Sequence, residues 1–111
     1  MLDIIIPAYN DIDGLRRTLT SIYFKELDWI TITVVDDASQ EDYTEIKKEF
    51  PLVHFFRMET NGGPGVARNF ARKHSSEPYI LFVDCGDIIF SKWCFYEIYD
   101  VITNNPGYYI Y

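Results

Sequence analysis

Short apolar runs alternate along the chain with segments in which apolar residues recur every three or four positions. The length and the β-branched content of the runs predict buried strands, and the recurring spacing predicts amphipathic helices. The predicted strands are residues 2–6, 29–35, 52–56, 79–83 and 108–111. The predicted helices are residues 12–23, 43–50, 65–74 and 95–102. The pattern therefore predicts strands and helices in strict alternation.

Alternation with short connections is typical of an α/β protein. Such connections are right-handed crossovers, which give a mostly parallel sheet with helices on both faces. The expected fold is a Rossmann-like, three-layer α/β/α arrangement. Within it, residues 79–83 are expected to form a central strand buried on both faces, because this apolar run is continuous and lies between Pro78 and Gly86.

Two of the predicted helices have candidate capping residues. Asn10 or Asp11 is placed to cap the first turn of the first helix. Residues 39–42 (SQED) match a capping box for the second helix. Pro7 is expected to end the first strand, and Pro51 is expected to end the second helix.

Composition limits the size and the setting of the protein. A chain of 111 residues with 48% hydrophobic and 17% aromatic side chains fits one folded domain, residues 1–111, which is small for an enzyme that holds two substrates. The net charge of -7 disfavours nucleic acid as a partner and favours metal cations. Two cysteines, without a secretory signal or a membrane-length apolar run, favour a reducing, cytoplasmic setting.

Polar residues follow three of the predicted strands. Residues 7–11 follow the first strand, Asp36 and Asp37 follow the second, and Asp84 and Asp87 follow the fourth. In a parallel sheet these ends share one edge, where open α/β folds bind ligands. Four carboxylates at one edge repel one another unless a cation joins them. A divalent metal ion that carries a diphosphate fits that requirement.

Residues 61–65 (NGGPG) form a glycine-rich loop directly before the third helix. The start of that helix near Gly65 offers a positive dipole end to a phosphate group. Arg68, on the same helix, is a candidate for a bidentate contact with phosphate or carboxylate. Gly65 and Arg68 are therefore candidate ligand-binding residues.

Each of these features also has a purely structural interpretation. The aspartates could cap turns and helices, the glycine-rich loop could be a tight turn, and Tyr9 could pack in its turn instead of stacking on a ligand. Cys85 and Cys94 are interpreted as structural, because nothing near them in sequence would activate a thiolate. The occurrence of polar clusters at three strand ends together favours the functional interpretation.

Four segments of the chain together resemble the motifs of family 2 glycosyltransferases of the GT-A fold. They are residues 4–10 (IIIPAYN), 34–39 (VVDDAS), 61–69 (NGGPGVARN) and 82–87 (FVDCGD), in the order and spacing of the family. The resemblance covers the whole chain. It implies the N-terminal, nucleotide-sugar-binding part of a longer glycosyltransferase.

The resemblance also implies which residues form the site. Those expected at the nucleotide base are Pro7, Ala8, Tyr9, Asp36 and Asp37. Those expected at the nucleotide, the ribose, the diphosphate and its Mn²⁺ or Mg²⁺ ion are Arg68, Asp84 and Asp87. Asp84 and Asp87 are the two expected metal ligands.

The chain departs from the family pattern in two respects. Gly86 stands at the third place of the acidic motif, where family members commonly carry a metal-binding carboxylate. Asp84 and Asp87 are then left to hold the ion directly or through water. The region that binds the acceptor and supplies the catalytic general base is expected beyond residue 111.

The activity implied by the resemblance is an inverting transfer of sugar from a nucleoside-diphosphate sugar, expected to be a UDP-sugar, to a glycan or lipid-linked acceptor. One alternative is a sugar-nucleotide-binding module without turnover. A second is a phosphoacceptor receiver domain, which is disfavoured because the acidic pair of that fold follows the first strand instead of the second. Self-association through the edge of the last strand, and a position at the inner face of the membrane, are further expectations.

Overall fold

The order of helices and strands agrees with the predicted alternation. The structure is a computed structural model that describes residues 1–23, 28–89 and 93–104. Its strands are β1 (Leu2–Ala8), β2 (Ile30–Asp36), β3 (His54–Arg57) and β4 (Tyr79–Phe82). Its helices are α1 (Ile12–Tyr23), α2 (Thr44–Glu49), α3 (Pro64–His74) and α4 (Trp93–Asn104). The strand expected at residues 108–111 lies outside the described residues.

The four strands form one parallel sheet in the order β3-β2-β1-β4. Helices α1, α2 and α4 contribute Leu15, Ile46 and Phe95 to the larger apolar core on one face. Helix α3 covers the other face with Ala67 and Ala71. The predicted three-layer arrangement is therefore confirmed. Within the described ranges, none of the helices combines the length and the apolar content that a bilayer span requires.

The position of β4 differs from the prediction. Strand β1 is central, and all seven of its residues are buried. Strand β4 lies at an edge of the described sheet, and its four residues are only half-buried. A continuous apolar run indicates packing on both faces of a strand, but it does not indicate pairing on both edges. Among the described residues, β4 is therefore a half-buried strand with one neighbour, and the prediction of a central strand buried on both faces is not met there.

Strands β1 and β2 end later than the apolar runs predict. Strand β1 continues through Pro7 to Ala8 and stays paired with β2 over this length. Pro7 fits here because β4 pairs with β1 only as far as Ile5, so no described strand needs the missing N–H on that side. Strand β2 continues to Asp36, which places this carboxylate within the sheet. Strand β3 is also displaced toward the C-terminus, from the predicted 52–56 to His54–Arg57.

The start of α2 differs from the prediction as well. Its N-cap residue is Tyr43, which makes no side-chain capping bond. The Ser39 hydroxyl lies 3.0 Å from the Tyr43 hydroxyl, and Asp42 accepts the main-chain N–H of Thr44 at 2.9 Å. The predicted capping box at residues 39–42 is therefore wrong, because Ser39 is used in the turn after β2.

Helix α1 begins as predicted. Asp11 Oδ1 accepts the main-chain N–H of Gly14 at 3.0 Å, which is an N-cap hydrogen bond. Asn10, the other candidate cap, precedes it with φ +50°. The chain thus turns at Asn10 and enters the helix at Asp11.

Candidate functional site

The carboxyl ends of β1, β2 and β4 lie along one edge of the sheet, because these strands are parallel neighbours. We call this edge the carboxyl edge, and the opposite one the amino edge. The glycine-rich loop before α3 reaches the carboxyl edge too, since its Gly62 N–H lies 2.9 Å from Asp37 Oδ1. The polar clusters predicted to share one edge therefore do so.

A pocket of about 280 Å³ opens at the carboxyl edge. Its lining residues are Pro7, Ala8, Tyr9, Asp37, Asn61, Gly63 and Pro64. One wall is the end of β1 with Tyr9, and another is the loop before α3. Tyr9 is 48% exposed, so much of its ring is accessible to a ligand. Four of the five residues expected at the nucleotide base thus line one pocket.

Asp37 connects the two walls of this pocket. Its main-chain N–H donates to the Ala8 carbonyl at 2.9 Å. Its carboxylate accepts the main-chain N–H groups of Gly62 and Gly63 at 2.9 and 2.8 Å. Asn61 Nδ2 lies 3.3 Å from the Asp37 carbonyl oxygen. The carboxylate is buried, and these main-chain donors solvate its charge in place of water.

Asp36 is paired with a cation from the neighbouring strand. Its Oδ2 lies 2.8 Å from Nη1 of Arg57, and its Oδ1 accepts the main-chain N–H of Ser39 at 2.9 Å. Arg57 also donates to the Ser39 carbonyl at 2.8 Å. The strand register pairs Asp36 with Arg57 directly. Asp36 therefore shapes the turn after β2, and it is the one expected base-binding residue that does not line the pocket.

Asn10 ties the turn after β1 to the turn after β2. Its main-chain N–H donates to Ser39 Oγ at 2.8 Å, and its Oδ1 accepts the N–H of Gln40 at 2.7 Å. Asparagine tolerates the left-handed backbone conformation of this position better than most residues. The two bonds fix the chain directly after Tyr9, and the bond from the Asp37 N–H to the Ala8 carbonyl fixes it directly before.

Arg68 and Asp84 form an ion pair at the same edge. Arg68 Nη2 lies 2.8 Å from Asp84 Oδ1, with the side chains 36% and 69% exposed. A pair this exposed contributes little to stability, so both groups can turn to a ligand. Arg68 Nε is buried and finds no hydrogen-bond partner among the described residues. The Phe82 ring lies 5.9 Å from the guanidinium carbon, which leaves an arginine positioned over β4 with unused donors.

The turn after β4 explains the glycine in the acidic motif. The Asp87 N–H donates to the Asp84 carbonyl at 3.1 Å and closes the turn. Gly86, the third residue, has φ +103°, which a residue with a side chain adopts only with strain. Asp84 and Asp87 are both exposed at this turn. Gly86 is therefore required by the backbone at the place where the family pattern has a carboxylate.

Helix α1 holds the turn after β4 in place. The Gly86 N–H donates to Thr18 Oγ1 at 2.9 Å. Cys85 Sγ lies 3.5 Å from the Asp11 carbonyl. Burial, followed by the charge of the Asp11 carboxylate, raises the pKa of the Cys85 thiol to about 12. The thiol stays protonated at neutral pH, in agreement with its interpretation as structural.

Protein groups balance the carboxylates of the carboxyl edge. Asp36 pairs with Arg57, and Asp84 pairs with Arg68. Asp37 is bound by main-chain N–H groups. Within the described ranges, no three His, Cys, Asp or Glu side chains are arranged to hold a metal ion. Three of the four carboxylates thus have partners within the protein, two of them arginines, so a metal ion is not needed to balance their charge.

Asp84 and Asp87 nevertheless fit an ion that arrives together with phosphate. Both side chains are exposed at one turn, and carboxylate oxygens are ligands that Mg²⁺ and Mn²⁺ prefer. Mg²⁺ is commonly held by one or two carboxylates while phosphate and water complete its coordination. Two carboxylates are therefore sufficient for a metal ion carried by a diphosphate.

Gly65 is the second residue of α3 and lies in its first turn. A Cβ added to Gly65 would meet no atom within 4 Å in the part of the chain that the structure describes. Pro64 precedes it at the first helical position, where a helix needs no N–H donor. The start of α3 is thus open to solvent, in agreement with a role in binding an anion.

Three further residues shape the site although the sequence does not single them out: Arg57, Asn61 and Thr18. Arg57 could be inferred once β2 and β3 are taken as parallel neighbours, because the register then places it beside Asp36. Asn61 lies in the glycine-rich loop, but its sequence position does not show that it lines a pocket. Thr18 gives no signal, since a helical threonine does not reveal its partner.

The fold is similar to solved glycosyltransferase structures. The crystal structure of S. aureus TarS 1–349 in complex with UDP aligns with 93% of this chain and 32% of that chain, with a TM-score of 0.83 and 28% identity. The mannosyltransferase PcManGT from Pyrobaculum calidifontis, in complex with GDP-Man and Mn²⁺, aligns with 94% of this chain and 32% of that chain, with a TM-score of 0.82. Its identity is 17%, so this second similarity shows the fold alone.

Sequence relatives agree with the structural similarity. The poly(ribitol-phosphate) beta-glucosyltransferase of Bacillus spizizenii is 36% identical over 98 residues, which are 82% of this chain and 16% of the relative. The chain spans from 13% to 36% of the length of the first relatives it matches. The family described as Glycosyl transferase family 2 matches residues 3–111. With its four motifs, its parallel sheet and this match over almost all of its length, the chain belongs to glycosyltransferase family 2.

Proposed function

We propose that this chain binds the donor of a sugar-transfer reaction, a nucleoside-diphosphate sugar and in particular a UDP-sugar. The observation that carries the proposal is the pocket between the end of β1 and the loop before α3, at the same sheet edge as the Arg68–Asp84 pair. The pocket offers apolar walls and an exposed tyrosine ring to a base. Arg68 and the open start of α3 offer the positive groups that a diphosphate needs.

The base is assigned to the pocket of Pro7, Ala8 and Tyr9. An exposed aromatic ring stacks on the face of a nucleobase, and such stacking alone tolerates any base. Asp37 and Asn61 supply the polar lining that can distinguish one base from another. The UDP bound in TarS, which is 28% identical to this chain, supports a uracil nucleotide.

The diphosphate is assigned to Arg68, to Gly65 at the start of α3, and to the turn of Asp84 and Asp87. Arg68 would exchange its exposed contact with Asp84 for phosphate oxygens. Asp84 would then be free for the ribose and, with Asp87, for Mn²⁺ or Mg²⁺. A divalent ion in this position neutralises charge on the leaving diphosphate. PcManGT, which shares the fold, holds Mn²⁺ with its sugar nucleotide.

The complete reaction requires more than donor binding. In an inverting transfer, a hydroxyl of a glycan or lipid-linked acceptor attacks the anomeric carbon of the donor sugar while a general base takes its proton. We assign that base to residues after 111 and the donor half of the reaction to this chain.

The free Cys85 and Cys94 accord with a reducing, cytoplasmic setting.

A sugar-nucleotide-binding module without turnover is the second candidate function. Gly86 favours it, because this residue leaves two exposed carboxylates, Asp84 and Asp87, at the turn assigned to the metal. Both candidates bind UDP, so binding does not separate them. Slow release of UDP from a UDP-sugar in the presence of Mn²⁺ would support the transferase, and its absence would support the binding module.

Calorimetric titration of UDP into the chain, first with Mn²⁺ and then with a chelator, tests the proposal. We expect binding that requires the metal ion, and we expect Arg68→Ala to weaken it about tenfold or more through the loss of a charge-assisted hydrogen bond. Arg72→Ala, one turn later on α3, is the matched control and should bind as the unmodified chain does. No binding of UDP in either condition would contradict the proposal, and equal binding in both would remove the metal from it.

A further inference from the structure

Helix α1 carries two buried hydroxyl side chains on the face that packs against the apolar core. Thr18 is fully buried, and Ser21 is 8% exposed. They lie among Leu15, Leu19 and Ile22, which belong to that core. A hydroxyl group in such a position costs free energy unless it forms hydrogen bonds. The partners of these two hydroxyls therefore show why the helix carries them here.

Both hydroxyls accept main-chain N–H groups from the segment that follows β4. The Gly86 N–H donates to Thr18 Oγ1 at 2.9 Å, and the Ile89 N–H donates to Ser21 Oγ at 3.1 Å. Ser21 also donates its own proton to the Thr18 carbonyl at 2.7 Å. The segment has left the sheet at this point, because β4 ends at Phe82. Helix α1 thus supplies the acceptors that a neighbouring strand supplies within the sheet.

Thr18 bonds to the middle of the turn that carries the two expected metal ligands. Gly86 lies between Asp84 and Asp87, and the Asp87 N–H donates to the Asp84 carbonyl at 3.1 Å. Both carboxylates are exposed, so solvent leaves them free to point apart. Mg²⁺ demands nearly ideal octahedral geometry, so the turn must direct both carboxylates at one ion. The bond to Thr18 anchors this turn to the body of the protein.

We propose that Thr18 is a positioning residue, which fixes the main chain at Gly86 so that Asp84 and Asp87 bind one divalent ion together. This inference rests on the proposed function, since it takes Mn²⁺ or Mg²⁺ with a nucleoside diphosphate as the ligand. The Thr18 side chain is fully buried, so it contacts neither the ion nor the nucleotide itself. Ser21 supports the same segment three residues further along α1. Loss of the Thr18 hydroxyl should therefore affect the metal-dependent part of binding and spare the base pocket.

Amide hydrogen exchange followed by NMR tests the anchor without any ligand. Thr18→Val keeps the shape of the side chain and removes the oxygen that accepts the Gly86 N–H. We expect the Gly86 amide to exchange about fivefold faster or more, as the loss of one hydrogen bond predicts. Thr18→Ser keeps the oxygen but loses a buried methyl group, so it controls for lost packing, and its Gly86 amide should stay protected. Equal protection of Gly86 in Thr18→Val and in the unmodified chain would overturn the proposal.

Titration of UDP in the presence of Mn²⁺ tests the effect on the site. We expect Thr18→Val to weaken UDP binding about fivefold, which is the loss of one hydrogen bond, and we expect Thr18→Ser to restore it. Uridine, which lacks the diphosphate and is titrated by NMR, should bind Thr18→Val as it binds the unmodified chain, because the base pocket lies between β1 and the loop before α3. Thr20→Val, exposed on the same helix, is the matched control and should leave UDP binding unchanged.

The outcomes of this titration separate the role of Thr18 from the proposed function. UDP binding that is unchanged in Thr18→Val would overturn the role of Thr18 and leave the proposed function intact. Uridine binding that falls as much as UDP binding would do the same, since Thr18 would then support the whole fold instead of the metal-binding turn. Failure of the unmodified chain to bind UDP with Mn²⁺ would contradict the proposed function, and the role of Thr18 with it.

Discussion

Asp3 and Asp37 are buried carboxylates at opposite ends of the sheet, each 3% exposed. Asp3 lies near the start of β1 and accepts the hydroxyl groups of Thr33 and Ser75 at 2.8 and 2.7 Å. Asp37 follows β2 and accepts two main-chain N–H groups. Burial raises the pKa of Asp3, although both hydroxyl bonds act to lower it. The two hydroxyls therefore solvate Asp3 less well than water does in the unfolded chain.

The type of donor determines what each carboxylate fixes. A hydroxyl belongs to a side chain that can rotate, so Asp3 links neighbouring elements of the amino edge without setting the path of a loop. A main-chain N–H cannot move without the chain, so Asp37 sets where the loop before α3 runs. At the amino edge, Asp3 therefore contributes contacts between neighbouring elements. At the carboxyl edge, Asp37 also defines the path of a loop.

Backbone conformation shows the same difference between the two edges. The described residues with positive φ are Asn10, Ala38, Gly63 and Gly86. Each of them follows a strand or precedes α3 at the carboxyl edge. Uncommon backbone conformations persist only where surrounding contacts enforce them, and they concentrate at functional sites. The contacts made by Asp36, Asp37 and Asn10 are of that kind.

The largest expected effect on stability comes from the charge balance of Asp36. Arg57→Ala leaves the Asp36 carboxylate, whose side chain is 7% exposed, with the Ser39 N–H as its one remaining donor in the part of the chain that the structure describes. We expect the free energy of unfolding to fall by about 2 kcal/mol, below the value for a fully buried pair because the Arg57 side chain is 55% exposed. Urea denaturation measures the change.

Arg72→Ala is the control for that experiment, because Arg72 is exposed in the last turn of α3. It should change the unfolding free energy by no more than about 0.5 kcal/mol. A similarly small change for Arg57→Ala would mean that water replaces the guanidinium. The carboxyl edge would then be no more dependent on charged partners than the amino edge.

The next effect is smaller and has the opposite sign. In Asp3→Asn the side-chain oxygen still accepts from Thr33, and the amide donates to the Ser75 hydroxyl, which has lone pairs to accept it. The variant keeps both hydrogen bonds and removes the buried charge. We therefore expect it to be at least as stable as the unmodified chain at neutral pH.

The pH dependence of that difference follows from the direction of the Asp3 pKa shift. The pKa of Asp3 in the folded state lies above its ordinary value of 3.8. The Asp3 carboxyl group therefore stabilises the folded state most below pH 3.8, and this stabilisation is lost as the pH rises through the pKa of the folded state. The advantage of Asp3→Asn should thus be absent in acid and grow toward neutral pH in chemical denaturation. Asp13→Asn, which is exposed, should show no such trend. If Asp3→Asn is less stable than the unmodified chain at neutral pH, the hydroxyl groups solvate the Asp3 carboxylate no worse than the main-chain N–H groups solvate that of Asp37.

The sequence predicts much of this fold because burial leaves a direct mark on it. A strand covered by helices on both faces is mostly apolar, and a helix on a sheet must repeat its apolar residues every three or four positions. Those two signatures are sufficient for the parallel sheet and for both helix layers. The position of β4 as the outermost described strand leaves no such pattern in the sequence, because pairing between strands uses main-chain groups that every residue shares.

The candidate site also has a part that the sequence predicts and a part that it does not. Pro7, Ala8 and Tyr9 are predictable because they follow the first strand and therefore lie at the carboxyl edge. The separate roles of Asp36 and Asp37 are not, because adjacent aspartates look alike in sequence while neighbouring side chains at a strand end point in opposite directions. One meets Arg57 of β3, and the other meets the loop before α3. Knowledge of which segment lies on each side is needed to tell them apart.

The smallest predicted effect concerns Ala38, which lies between Asp37 and Ser39 with φ +60°. The left-handed conformation costs a residue with a Cβ about 1 to 2 kcal/mol, and glycine avoids this cost but loses about 0.5 to 1 kcal/mol more in backbone entropy on folding. Ala38→Gly should therefore stabilise the chain by about 0.5 to 1 kcal/mol in urea denaturation. Gly63→Ala, which places a Cβ at φ +89°, should act in the opposite direction. If Ala38→Gly instead destabilises the chain, the turn after β2 carries no strain, and the contrast between the two edges rests on their hydrogen-bond donors alone.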